Sequence, residues 1–437
     1  MPTFRPYEPD QQLLLPPSLQ DWLPPDHLVW FISETVDELD LSEIVESYRD
    51  GGQGNLPYHP AMMLKILIYG YASGVFSSRR IARQIEENIA FRVLAAENMP
   101  DHRTICRFRE QHLDAFERLF VQVVQIARHA GLVTMGTLAV DGSKFRANAS
   151  KRKAMSYERM QHEEKRLGKA IRALTNRASK RDAEEDVEFG PDFRGDQLPA
   201  ELQRREDRLA KIRQAKRHLE ARKREEAVEQ GRDVDSPPRG GRSSKDPVGK
   251  PKPKDQENFT DPESRIMKDG SGAFQQCYNA EIAVDGHERI IVAATVQQSS
   301  ADMRALIPLV DQAKRNVGQR AQEVLADAGY ASEANLKALE RRTIKGYVAL
   351  GREGKSARTP KPEARATRRM LSKLTSKRGR AKYKRRKHLA EPPFGWMKQV
   401  LGFRQFSLRS LSKVSSEFNL LCLALNLRRM ATMMRWA

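Results

Sequence analysis

Between an apolar run, Thr137-Leu138-Ala139-Val140-Asp141, and the next β-rich segment near Ala273 lies a stretch that no compact core can absorb. Residues 156–230 are mostly Glu, Lys, Arg, Ala and Leu, and residues 231–258 are Pro, Gly, Ser, Lys and Asp with hardly any apolar side chain. In the first part Leu202, Leu209, Ile212 and Leu219 recur at spacings of seven, three and seven, which is a heptad seam. An earlier half carries Leu167, Ile171 and Leu174, and Gly190-Pro191 separates the two. An antiparallel hairpin of two charged helices accounts for both halves; pairing of the seam with a second chain is the alternative. The second part buries too little apolar surface to offset the entropy of ordering, so it reads as a disordered linker over 231–258. The fold must therefore tolerate a large charged insertion directly after its first strand.

Beyond the insertion, strand and helix patterns alternate. Residues 273–284 and 290–296 are β-rich and joined by Asp285-Gly286, a hairpin signal. A helix over 301–317, a strand over 323–327, a helix over 332–342, a strand over 346–350 and a helical region from Glu391 to the end complete the pattern. Together with residues 135–155 this predicts an α/β domain, a mixed sheet flanked by helices, over 259–437. Residues 1–134 read as helical. Met62, Met63, Leu64, Ile66, Leu67 and Tyr71 form an apolar helix, Ser77-Ser78 caps a basic one, and Pro100-Asp101-His102-Arg103-Thr104 opens another. Short helices bearing Arg79, Arg80, Arg83, Arg103, Arg107 and Arg109 fit a helix-turn-helix assembly on DNA. A plain bundle with solvated arginines fits them too.

Charge narrows the choice of partner. Lys and Arg number 77 against 57 Asp and Glu, giving +20 and a pI near 9.9. Residues 355–388 hold fifteen Lys or Arg and one acid, Glu363. Such a run repels itself strongly, and counterion release on DNA is the natural compensation. It is expected to be poorly ordered without DNA and to clamp phosphates through Arg378, Arg380, Lys382 and Lys384. Cys106, Cys277 and Cys422 are too few and too dispersed for a disulfide framework or thiolate zinc site. With no signal-peptide pattern and no apolar run near the ~20 residues a bilayer requires, a cytoplasmic protein with no membrane partner is expected.

Phosphoryl chemistry on DNA calls for hard divalent cations held by carboxylates from separate elements. Asp141 ends one apolar strand, and Asp327 ends Val324-Leu325-Ala326. Glu391 precedes Pro392-Pro393, a pair suited to a first helical turn, so it is expected to start a helix with Lys398 two turns on. Each has an ordinary structural explanation, as turn former or helix-start charge. Glu417 is a rival third carboxylate, while Asp285 reads as a hairpin turn, Asp302 as a helix-start charge and Asp261-Pro262 as a loop opening.

These residues add up to a resemblance. Val140-Asp141-Gly142-Ser143-Lys144-Phe145-Arg146 resembles the first catalytic block of DDE transposases from bacterial insertion sequences. Ala326-Asp327-Ala328-Gly329-Tyr330 resembles the second block, and Tyr383, Arg386, Glu391, Phe394-Gly395 and Lys398 the third, with its Tyr-Arg-Glu-Lys signature. Asp261-Pro262-Glu263-Ser264-Arg265 and Tyr278-Asn279-Ala280 are similar to the insertion-sequence group numbered eleven eighty-two, within the fifth-element superfamily. The resemblance implies a ribonuclease-H-like catalytic core in which Asp141, Asp327 and Glu391 converge on two magnesium ions, with manganese a possible substitute. It implies DNA contacts by Lys144, Tyr383, Arg386, Lys387 and Lys398. Three departures stand out: four residues rather than three separate Arg386 from Glu391, leaving Lys387 in the family position; Leu425-Asn426-Leu427 replaces a common His-Asn-Leu; and Pro393 replaces a frequent Val.

The expected function is DNA transposition: binding an element's ends, cutting them by hydrolysis and joining the 3′-hydroxyls to target DNA. The chain would act as a homodimer or higher oligomer on DNA, associated with the nucleoid when bound. A DNA-binding regulator derived from an inactive transposase would show a broken triad. A ribonuclease-H-like nuclease would not need the arginine-bearing helical head.

Overall fold

The computed structural model describes residues 18–48, 56–189, 200–229, 248–270, 272–351 and 364–434. They form two compact units, one of residues 1–145 with 278–437 and the other of residues 146–277. In the first unit the head is α1 (Leu28–Asp37), α2 (Ser42–Glu46), α3 (Pro60–Ala72), α4 (Ser78–Glu87), α5 (Ile89–Ala95), α6 (His102–Gln111) and α7 (Leu113–His129). Pro60 opens α3 while His59 accepts the Ala61 N–H, and Asp101 caps α6 by accepting the Thr104 N–H at 2.7 Å. Ten of the thirteen α3 residues are buried. A helix apolar all round needs neighbours all round.

Those neighbours include the far end of the chain. Helix α14 (Leu411–Met434), also largely apolar, packs on α1, α3 and α7. The described residues of 1–134, expected from the sequence pattern to form a domain of their own, thus share one compact unit with the core. Asn426 fixes α14 from the other side: its amide accepts the Ile291 N–H at 2.9 Å and donates to the Ile291 carbonyl at 2.8 Å. The change at Leu425 thus leaves the neighbouring Asn fully bonded.

After β1 (Thr137–Arg146) comes the second unit. It holds β2 (Ala154–Ser156), α8 (Tyr157–Phe189), α9 (Ala200–Glu229), β3 (Gln256–Asn258) and β4 (Arg265–Lys268). Tyr157 donates to Glu220, while Arg213 and Lys216 pair with Glu164, so α8 and α9 run antiparallel. Met160 and Leu167 pack against Leu209, Ile212 and Ala215, so the seam closes within one chain. Part of the expected linker is ordered. Residues 230–247 lie outside the described residues, but Gln256–Asn258 pairs antiparallel with β2. Glu257 there is buried against Arg222 at 2.6 Å. A buried ion pair and a strand ladder supply the partners that its composition did not advertise. The unit also reaches beyond the expected 156–230 insertion, taking in residues 146–155 and 259–277.

The core sheet adds β5 (Phe274–Asp285), β6 (Ile291–Gln297), β7 (Glu323–Ala326) and β8 (Lys345–Val348) to β1. β5 and β6 form the expected hairpin, and buried Asp285 accepts the Met135 and His287 N–H groups as a turn residue. Strand order in this six-stranded sheet is β4-β5-β1-β7-β8, with β6 also paired to β5 and β7 parallel to both β1 and β8. That order, an antiparallel hairpin on one side of β1 and parallel strands on the other, is ribonuclease-H-like. Helices α10 (Leu306–Val317) and α11 (Glu333–Arg341) link the later strands. Helices α12 (Arg365–Thr375) and α13 (Lys377–Gly395) come after β8.

These last two correct an expectation. Residues 355–363 of the basic run lie outside the described residues, but the remainder is helical and packed. Ala366 and Met370 of the run are buried, as are Leu389 and Ala390 just after it, so α12 and α13 have an apolar side, and most of the run's charges other than the buried Arg386 project elsewhere. Among the described residues no helix is long and apolar enough to cross a membrane.

Candidate active site

The parallel ladder of β1 and β7 ends at Val140 opposite Ala326. Asp141 and Asp327 are the next residues on strands about 5 Å apart. Leu138, Ala139, Val140, Val324, Leu325 and Ala326 are fully buried, as in a sheet covered on both faces, and this holds both carboxylates at one strand end. β1 itself continues past Asp141 to Arg146 beside β5, so Asp141 marks the end of the ladder with β7 and not the end of the strand that the sequence pattern predicts. Asp327 caps a short 3₁₀ turn, accepting the Gly329 N–H at 2.8 Å.

Glu391 arrives from α13. Leu389 and Ala390 bury against Ala139, Leu325 and Tyr347, which sets the following residue at the same strand end. It does not start the helix. Ser376 caps α13 at Lys377, and Pro392 and Pro393 lie inside its last turn. Lys, Arg and Ala favour helix over 377–391, and the prolines then remove two N–H donors rather than begin a new segment. The chain passes into a π-turn at Trp396–Val400. From that turn Lys398 reaches back to the Ser143 hydroxyl and the Lys144 carbonyl at 2.9 Å, over the Phe145 ring.

Arg386 ties the site together. One guanidinium nitrogen lies 3.5 Å from Asp141 Oδ1 and the other 3.2 Å from Glu391 Oε1. Arg386 is buried, whereas Lys387, which holds the family position, is exposed. Burial pushes the Asp141 carboxyl up to about 6; Arg386 opposes that rise, while Asp327 and Glu391 add to it. Among the described residues no group of three or more acidic, His or Cys side chains is placed to hold a metal ion. The donor chemistry is nonetheless of the kind hard cations take: carboxylate oxygens, whose field holds a guanidinium in place against its own desolvation.

A second group surrounds these residues, and sequence reasoning passed over it. Glu281 on β5 is fully buried and accepts from Asn279 and Gln297, both at 2.7 Å, and from the Tyr330 hydroxyl. Burial raises its carboxyl to about 8, the Tyr330 hydrogen bond works against the rise, and Asp302 adds to it. Asp302 accepts from Asn279 at 2.7 Å and from Lys144 at 3.2 Å, so Lys144 is ion-paired beside the site. The only signal was position: Glu281 comes just after Tyr278-Asn279-Ala280, and Asp302 looked like a helix-start charge.

The remaining candidates separate by exposure. Arg79, Arg80, Arg83, Arg103 and Arg107 are exposed on α4 and α6. Arg109 is not available to DNA: it is 5% exposed and donates to the Tyr71 hydroxyl at 3.3 Å and the Phe76 carbonyl at 3.1 Å. Tyr71 in turn donates to Glu417, which also accepts the Ser407 and Leu408 N–H groups. Glu417 is thus a buried structural carboxylate and no rival to Glu391. Arg378, Arg380 and Lys384 are exposed, Tyr383 is half-buried, and Lys382 pairs with Glu323 at 2.8 Å.

Residues 226–427, which contain Asp327 and Glu391, match the family model of the transposase DDE domain, and residues 17–111 match that of the transposase domain DUF772. The chain belongs to the DDE transposases. Asp141 falls outside both matched spans, on the far side of the insertion. No curated protein and no solved structure matches the transposase. Membership implies a DNA substrate and chemistry that normally uses divalent metal.

Proposed function

We propose that this transposase, of the group numbered eleven eighty-two, binds the ends of its insertion sequence, hydrolyses the phosphodiester there and joins the freed 3′-hydroxyls to target DNA. The observation that carries the reading is the convergence of Asp141 and Glu391 on Arg386, with Asp327 one strand away. Asp141, Asp327 and Glu391 would hold two magnesium ions, or manganese in their place, supplying charge neutralisation at the phosphate and activation of the attacking oxygen. The protein's own groups then have distinct tasks. Arg386 and Lys398 hold cationic charge beside the strand end where phosphate must lie, and Lys144 adds a third cation. Lys387 faces outward, suited to the flanking backbone. Exposed arginines of α4 and α6 contact the terminal repeat, with base contacts discriminating by about 1–3 kcal/mol each. The active form is a homodimer or higher oligomer on DNA, in the cytoplasm at the nucleoid.

The test is to incubate the full chain with magnesium and DNA carrying the element's ends, then look for 3′-hydroxyl ends and joined products. Binding with neither product would favour a regulator. The outer face of α13 gives a second measurement. Changing Arg378, Arg380 and Lys384 together to Gln should weaken all duplexes alike and flatten the log–log salt dependence by about 0.9 per lost phosphate contact. Changing Arg386 or Lys398 should slow joining more than it weakens binding. An unchanged salt slope in the triple variant would make that face merely solvated.

A further inference from the structure

Successive residues of a strand face opposite sides of the sheet, so Gly142 faces away from Asp141. On that side stands Glu281. A Cβ on Gly142 would lie 2.8 Å from one Glu281 oxygen and 2.9 Å from the other, so only glycine lets the carboxylate approach so closely. The same carboxylate accepts the hydroxyl of Tyr330, which ends the 3₁₀ turn that Asp327 caps. Asp302 presses on that turn as well: a Cβ on Gly329 would meet Asp302 Oδ2 at 2.8 Å and Asp327 Oδ1 at 3.0 Å. Asn279 bonds Glu281 and Asp302 together, and Gln297 completes the shell. One buried carboxylate therefore touches the residue after Asp141 and the tyrosine three after Asp327.

We propose that Glu281 is a positioning residue of the catalytic site, fixing the Asp141 strand and the Asp327 turn relative to each other through Gly142 and Tyr330. The inference rests on the reading of Asp141, Asp327 and Glu391 as the cation-holding residues. Its physical basis is general: ligating carboxylates need outer partners to hold them, and loss of such a partner costs about 10–100-fold in metal affinity or activity. Glu281 accepts three hydrogen bonds, more than a neutral amide oxygen can take with the same geometry. Tyr330→Phe removes one donor and keeps the buried ring.

The experiment titrates Mn²⁺ alone into the full chain and reads free cation by electron paramagnetic resonance, with Tm measured in parallel. Tyr330→Phe and Glu281→Gln should each weaken Mn²⁺ binding about tenfold or more. The double variant should be no weaker than Glu281→Gln, because both remove one interaction. Duplex affinity without metal should stay within about twofold of the parent. A variant of equal Tm loss in the other unit, such as Leu167→Ala, should bind Mn²⁺ normally, which separates positioning from general loosening. If Glu281→Gln fails to fold, Tyr330→Phe decides. Undiminished binding in Tyr330→Phe, where Asp327→Asn has lost it, overturns the positioning role alone. Undiminished binding in Asp141→Asn and Asp327→Asn as well overturns the cation reading and the positioning role with it.

Discussion

Asp141→Asn and Asp327→Asn should each abolish cleavage and joining while leaving affinity for DNA ends nearly intact. The separation comes from placement. Both aspartates emerge at the end of the β1–β7 ladder, behind fully buried apolar residues, whereas the exposed arginines lie on α4, α6 and α13. Asparagine keeps the size and one oxygen but loses the charge that a hard cation requires. A loss of at least about a thousandfold, about 4 kcal/mol of transition-state stabilisation, is expected for each. Single-turnover cleavage with magnesium and manganese checks it, alongside binding measured without metal. Either variant cutting near the parent rate would make that aspartate structural. Asp141→Asn also removes one partner of Arg386 and should loosen Glu391, which shares the same guanidinium. Asp327 makes no ion pair with Arg386 among the described residues but adds to the field on it, so its variant should disturb the Arg386–Glu391 pair less than Asp141→Asn does.

Local pattern carries most of the core and much less of its surroundings. The two strand-end aspartates are readable because three apolar residues before each can only be a buried strand. The β5–β6 hairpin is readable from Asp285-Gly286, and the charged hairpin from its heptad seam. Glu391 is readable as a candidate but falls elsewhere on its element, because Pro392-Pro393 is equally at home at a helix start and in a helix's last turn. Leu389 and Ala390, burying against three strands, make the choice, and adjacent residues do not reveal that contact. Glu281 escapes because a single carboxylate within a strand has no local signature; its partners Tyr330 and Gln297 come from elsewhere in the chain. The order of α12 and α13 is hidden by charge count, which says nothing of the side to which the charges point. The 256–258 strand is hidden the same way: its burial depends on Arg222, far back along the chain.

The helical head is also less separate than its sequence suggests, and a strong expectation attaches to that difference. Arg109 should prove a stability residue rather than a DNA contact. It lies on α6, 5% exposed, bonded to Tyr71 of α3, whose hydroxyl passes the link to Glu417 on α14. Arg109→Ala removes the buried guanidinium that donates to the Tyr71 hydroxyl and the Phe76 carbonyl, and with it the cationic end of the chain that Tyr71 carries to Glu417. Hydrogen bonds to a charged group are worth about 1.5–3 kcal/mol, and a loss of that order is expected. Tyr71→Phe should cost less, about 1–2 kcal/mol, since it removes one hydroxyl and keeps the ring packing. Arg79→Ala and Arg80→Ala, on the exposed face of α4, should change stability by no more than about 0.5 kcal/mol yet weaken DNA binding. Urea unfolding midpoints and duplex titrations on the same variants make the comparison. By the same logic a fragment of residues 1–134 should not fold alone. Without α14 it would expose the apolar faces of α3 and α7 and leave Arg109 and Tyr71 without Glu417. Circular dichroism of that fragment should show weak helix and no cooperative transition. A cooperatively folded fragment, or an Arg109→Ala chain as stable as its parent, would mean that the head is an independent domain after all and that α14 merely leans on it.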